Sequence, residues 1–238
     1  MLPSASSRIF RASGSDSERY FQGRLTQDVK GISVGKTRPS LVLSPQGKIQ
    51  GKLLIHRRKN DFLFVSDPLP SNEALESFQK AILQFKVADD VQVEEIKNSP
   101  EIQFFQGSEE DFHIQRILAG EPLFGIDINE KTTVSDIPLD KFVSFDKGCY
   151  AGQEVVEMSI ARGKPARFFT RFEAKKVSPF KHETPVGDEE GKQIGVITSS
   201  VLIPNTERVL SLGFLKNSVS EETKLFSEGV PLEANRIA

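Results

Sequence analysis

The sequence predicts an α+β fold, and three stretches carry that expectation. Residues 41–96 read as three strands, a helix and a fourth strand, the order that lays a helix on an antiparallel sheet. From Phe168 onward, short strands alternate with turns. Between the two, Lys147-Gly148-Cys149-Tyr150-Ala151-Gly152-Gln153-Glu154 sets a cysteine between glycines and leads into a helical run.

The 238 residues are 37% hydrophobic and 27% charged, the balance of a globular chain rather than a disordered one. A net charge of -2 gives no reason to expect a nucleic-acid surface. No apolar run approaches the roughly 18 residues that span a bilayer. Eighteen Phe against two Tyr and no Trp point to a core packed by phenylalanine.

In chain order, residues 8–12 alternate like a strand that ends at Gly14. The serine- and arginine-containing start faintly echoes a transit peptide but lacks its amphipathic helix, and no secretory signal is read. A reducing cytoplasm is therefore the expected compartment. Asp16 or Ser15 caps a first helix that Gly23 ends. Leu41-Val42-Leu43 and Gly51-Lys52-Leu53-Leu54-Ile55 are strands joined by a Pro45/Gly47 turn, and Phe62-Leu63-Phe64-Val65 completes a meander. The cluster His56-Arg57-Arg58-Lys59 reads as a solvated hairpin tip rather than a phosphate patch. Ser71 or Asn72 caps the next helix, whose stripe of Leu75, Phe78, Ile82, Leu83 and Phe85 is core. Val91, Val93 and Ile96 mark the fourth strand. Further strands are expected at 168–173, 193–197, 208–214 and 224–226, with turns at Val186-Gly187-Asp188 and Pro204-Asn205.

Cys149 is the only cysteine, so it makes no internal disulfide and serves either packing or thiol chemistry. Gly148 and Gly152 suit positive φ or a close backbone approach. A thiol just before a helix N-terminus and beside Lys147 has its thiolate form favoured. Both readings stand on the residues alone. His56, His113 and His182 have no metal-ligand spacing to one another or to Cys149, so no four-ligand zinc site can be written. A nucleophilic pair of Cys149 with His113 would need a contact in space. One cysteine also cannot hold an iron–sulfur cluster alone.

The cysteine octet resembles the Lys-Gly-Cys-Tyr-x-Gly-Gln-Glu signature of the YgfZ family of folate-binding, iron–sulfur-related proteins, which are similar to the aminomethyltransferase (T-protein) of the glycine cleavage system. Three further blocks look like the same family: Gly14 to Val29, Arg116-x-x-x-Gly-x-Pro-x-x-Gly125, and Gly195-Val196-Ile197-Thr198-Ser199. Relatives carry an arginine where Met158 stands, whereas Arg162, Gly163 and Arg167 agree with their pattern. The resemblance implies three small domains round a central folate cavity. They would be a discontinuous unit of 1–37 plus 100–165, a ferredoxin-like α+β unit of 38–99, and a C-terminal β-barrel of 166–238. It implies tetrahydrofolate or a derivative as ligand and iron–sulfur enzymes or assembly proteins, tRNA-modifying ones included, as partners, with no direct nucleic-acid or membrane contact.

Within that resemblance Cys149 is the reactive or ligand-contacting thiol and Lys147 lowers its pKa. Tyr150 stacks on the pterin, Gly152, Gln153 and Glu154 hold the loop or the ligand, and Arg116 and Arg162 meet the folate. The alternative is a folate-dependent aminomethyl or one-carbon transferase. The resemblance gives such enzymes an aspartate near the start of the helix after the meander, where this chain has Ala74.

Overall fold

A computed structural model describes residues 2–163 and 165–237, with Arg162 described by its backbone alone. Strand β1 (Ile9–Ser13) and helix α1 (Ser17–Arg24) open the chain. The meander follows as β2 (Thr37–Leu43), β3 (Ile49–Arg57) and β4 (Phe62–Ser66), then α2 (Asn72–Ile82) and β5 (Gln92–Ile96). The five strands form one antiparallel sheet in the order β2-β3-β4-β1-β5. β1 is hydrogen-bonded between β4 and β5, so the sheet spans the expected boundary at 37/38.

Alternation along the strands gives this sheet two buried faces. Val42, Leu53, Ile55, Phe62 and Phe64 face α1 and α2, packing with Phe21 and Phe78. Leu41, Leu43 and Ile49 face the other way, into a core shared with the second half of the chain. Ser71 caps α2, its side chain accepting from the Ala74 N–H as the sequence predicts. Asp16 stands at the start of α1 without capping it; its carboxylate accepts from Asp90 N–H instead and ties the helix to the loop before β5.

Helix α3 (Glu109–Leu118) begins with a capping box formed by Ser108 and Asp111. A long connection then leads to α4 (Gln153–Arg162), which the cysteine octet opens as expected. The remaining strands, β6 (Arg167–Lys175), β7 (Thr184–Gly187), β8 (Gln193–Leu202), β9 (Arg208–Lys216), β10 (Leu225–Ser227) and β11 (Val230–Arg236), close into a barrel in the order β10-β11-β6-β9-β8-β7. The molecule is thus α+β with a closed six-stranded C-terminal barrel.

Two of those strands escape the sequence pattern. β7 carries a proline and reads as a turn, and β11 buries a single side chain, Leu232, so its alternation is faint. The basic tip is also less solvated than expected. His56 is buried against Thr37, Arg57 reaches Glu18 and lies over Phe62, and Arg58 pairs with Asp61.

Candidate functional site

The cysteine loop is fixed by the N-terminal segment. Lys147 is buried, and its ammonium donates to the carbonyls of Gln22, Leu25 and Gln27 at 2.5, 2.6 and 2.9 Å. Ala151 N–H donates to Gly23 C=O, and Thr26 Oγ1 donates to Phe142 C=O. Two motifs more than a hundred residues apart in sequence are therefore one piece of structure. Burial pulls the Lys147 pKa down to about 8. The resemblance implies that this lysine acidifies Cys149, yet its N–H donors go to three backbone carbonyls.

Gly152 explains itself by geometry. It sits at φ 84°, and a Cβ there would lie 2.7 Å from Ser44 O and 3.0 Å from Leu43 Cβ. Gly148 meets neither condition, with nothing within 4 Å of a built Cβ. Tyr150 is buried in the core, with the Lys147 ammonium 4.9 Å from its ring centre, and burial raises its pKa to about 12. Its N–H donates to Gln153 Oε1, and Gln153 in turn donates to Glu157. Glu154 is exposed in the first turn of α4, where its charge suits the helix N-terminus. What the loop presents to solvent is the Cys149 thiol.

Arg116 lies elsewhere. The resemblance has it meet the folate, but this arginine is fully buried. It donates to Asp127 at 2.8 Å, to Ser199 Oγ at 2.6 Å and to His113 Nδ1 at 2.8 Å. Asp127 also accepts from Leu123 N–H, Thr198 and Ser199, so the pair bolts α3 to barrel strand β8. His113 is occupied by Arg116, and among the described residues no hydrogen bond joins it to Cys149. The Arg162 side chain lies outside the described residues.

A cavity of about 420 Å³ opens between the second face of the sheet, α3 and the N-terminal segment. Its walls include Pro39, Leu54, Val65, Phe112 and Leu123. Charged groups with no signature in the sequence also line it. Lys52 is buried, 3.0 Å from Asp67 Oδ1 and 3.3 Å from Glu121 Oε1. Asp67 also accepts from Phe124 N–H, and Lys141 stands 3.7 Å from Glu121. Burial penalises the Lys52 ammonium, but the two carboxylates more than offset it and hold the pKa above the usual lysine value. The available signal was a lysine at the head of the apolar run Leu53-Leu54-Ile55. The cavity adjoins the Thr37 end of β2, while the cysteine loop packs at the Leu43 end. Tyr150, Gly152, Gln153, Glu154 and Arg116 do not line it.

Ala74 packs on the α2 side of the sheet, away from this cavity, so its identity does not bear on the chemistry available there. Arg24, from the first motif, is another buried cation. It donates to Ala81 C=O, Leu43 C=O and Gln50 Oε1, and burial lowers its pKa to about 10.

Comparison with known proteins defines the class. The crystal structure of the glycine cleavage system aminomethyltransferase T from Bartonella henselae matches with a TM-score of 0.75 at 18% identity, covering 96% of this chain and 82% of that one. The chain therefore has the aminomethyltransferase T fold. In sequence, an uncharacterized protein of Haemophilus influenzae is 26% identical over 259 residues, covering 92% of this chain and 89% of that protein. Aminomethyltransferases of Synechocystis and Koribacter versatilis are 29% identical over 108 residues and 31% over 94. Those matches span 44% and 40% of this chain but only 28% and 24% of the two enzymes. No family model matches. No helix among the described residues is long and apolar enough to cross a membrane.

Proposed function

We propose that this chain binds tetrahydrofolate or a derivative and supports the synthesis or repair of iron–sulfur enzymes, tRNA-modifying ones included, through the Cys149 thiol in a reducing cytoplasm. The observation that carries the reading is the exposed thiol on an immobilised loop, with Lys147 and Ala151 tied to the first motif and Gly152 wedged against β2. A rigid loop presents the sulfur to a partner without an ordering cost. One cysteine supplies one cluster ligand, so the remaining ligands come from that partner. Lys147, Gly152 and Gln153 are then loop supports rather than ligand contacts.

The folate is placed in the cavity, whose size and mixed apolar and charged lining suit a flat heterocycle with a polar edge. Calorimetry with tetrahydrofolate, anaerobic and reduced, tests this part; micromolar binding supports it and no binding to folded protein sinks it. For the thiol, Cys149→Ser should leave the thermal midpoint unchanged and abolish complementation of a strain lacking the native factor. Full rescue by that variant removes the thiol from the account. A second reading, a folate-dependent aminomethyl or one-carbon transferase, is favoured by Asp67 and Glu121 in the cavity and by the fold itself. It predicts turnover of an aminomethyl or methyl donor.

A further inference from the structure

We infer that Lys52 sets the ligand chemistry of the cavity. By pairing with Asp67 and Glu121 together, it holds two half-buried carboxyl groups side by side in the cavity wall. They then act as acceptors for the N–H edge of a bound amino-pyrimidinone ring. The inference rests on the folate reading for the identity of that ring, the tetrahydropterin half of a folate.

Geometry supplies the argument. β3 alternates, so Leu53 and Ile55 enter the core under α1 and α2 while Lys52 and Leu54 turn to the cavity. Among the described residues Lys52 is the one cation in contact with both acids; Lys141 reaches Glu121 from the rim, with 42% of its side chain exposed. Asp67 follows the end of β4, and Glu121 follows α3, so three separate segments converge on one nitrogen. Lys52 and Phe124 N–H take up part of the lone-pair capacity of Asp67, Lys52 and Lys141 stand by Glu121, and both acids line the cavity. A pterin presents an amino group and a ring N–H on one edge, two donors that fit two neighbouring acceptors. Burial already raises the Asp67 pKa against the pull of Lys52, and without that ammonium two neighbouring carboxylates repel, so that one takes up a proton at higher pH. The acceptor edge is then lost, and recovered only as the pH rises.

The test uses the full chain with 6-methyltetrahydropterin, tetrahydrofolate and p-aminobenzoylglutamate as probes. Wild-type protein should bind the tetrahydropterin alone, which should compete with tetrahydrofolate, with affinity flat from pH 6 to 8. Lys52→Met should weaken tetrahydropterin at least tenfold at pH 6 and regain affinity toward pH 8, and Lys52→Arg should restore the flat profile. Glu121→Gln, which leaves the Lys52–Asp67 pair intact, gives the same tenfold loss without the pH dependence and serves if Lys52→Met does not fold. In ligand-free protein, carboxyl ¹³C NMR should show a proton taken up by the acid pair at higher pH in Lys52→Met than in wild type. Tetrahydrofolate binding that Lys52→Met and Glu121→Gln leave unchanged overturns the inference while the folate reading survives. Binding of p-aminobenzoylglutamate but not tetrahydropterin also overturns it. Folded wild-type protein that binds none of the probes defeats both.

Discussion

Removing either member of the Arg116–Asp127 pair should cost far more than its surface resemblance to a ligand contact suggests. In Asp127→Leu the guanidinium stays buried and loses its counter-charge, while Leu123 N–H, Thr198 and Ser199 lose an acceptor. Breaking a buried pair from one side costs 3–5 kcal/mol, so about 4 kcal/mol is expected. Arg116→Met leaves a carboxylate that still has those three donors, and about 3 kcal/mol is expected. The double variant Arg116→Met/Asp127→Leu strands no charge. It should cost about 4 kcal/mol against the sum of about 7, a coupling of about 3 kcal/mol. Urea unfolding followed by circular dichroism reads all four proteins, each single variant moving the midpoint by more than about 1 M. Single variants within about 1 kcal/mol of wild type, or costs that simply add, would refute the reasoning. So would an Arg116→Met protein of unchanged stability that has lost tetrahydrofolate affinity, since Arg116 would then be a ligand contact.

Other perturbations follow from the cysteine loop and its surroundings. Gly152→Ala combines a left-handed backbone with a Cβ against Ser44 O and should lower stability by about 2 kcal/mol or more, whereas Gly148→Ala should fall within about 0.5 kcal/mol in the same thermal melt. The folded pKa of Lys147 is about 8 against 10.5 for the free side chain, so the unfolded chain holds more protons between those values and stability rises with pH across that window. The rise is about 3 kcal/mol and should be missing from Lys147→Met, measured as the pH dependence of the difference in unfolding free energy. Ser71→Ala removes the hydrogen bond to Ala74 N–H and should cost about 1 kcal/mol by denaturant titration.

What could be read in the sequence was whatever rests on local periodicity and punctuation. The meander, α2 with its serine cap, and the helix after the cysteine all show their pattern within a dozen residues. β1 was legible as a strand but its place between β4 and β5 was not, because strand partners are set by long-range pairing. β7 was hidden because four residues with a proline read as a turn, and β11 because a strand that buries one side chain shows almost no alternation. The site divides the same way. Cys149 stood out by rarity and by its glycines. Lys52, Asp67 and Glu121 come from three segments, each ordinary in sequence, and only the fold brings their charges together.

The destination of Lys147 is the instructive case. A lysine two residues from a cysteine invites an electrostatic partnership, and charge at that spacing in an exposed loop would justify it. The carbonyls of Gln22, Leu25 and Gln27 form a cradle of three acceptors that closes as α1 gives way to an irregular segment. Helix ends leave such carbonyls without intrahelical partners, and a buried ammonium satisfies three acceptors with one group. The lysine, with the Ala151–Gly23 bond and the Gly152 approach to Ser44, therefore makes the loop and the first motif interdependent. Placing a thiol on a loop so constrained holds it exposed against the pull toward burial that a small apolar side chain would otherwise feel.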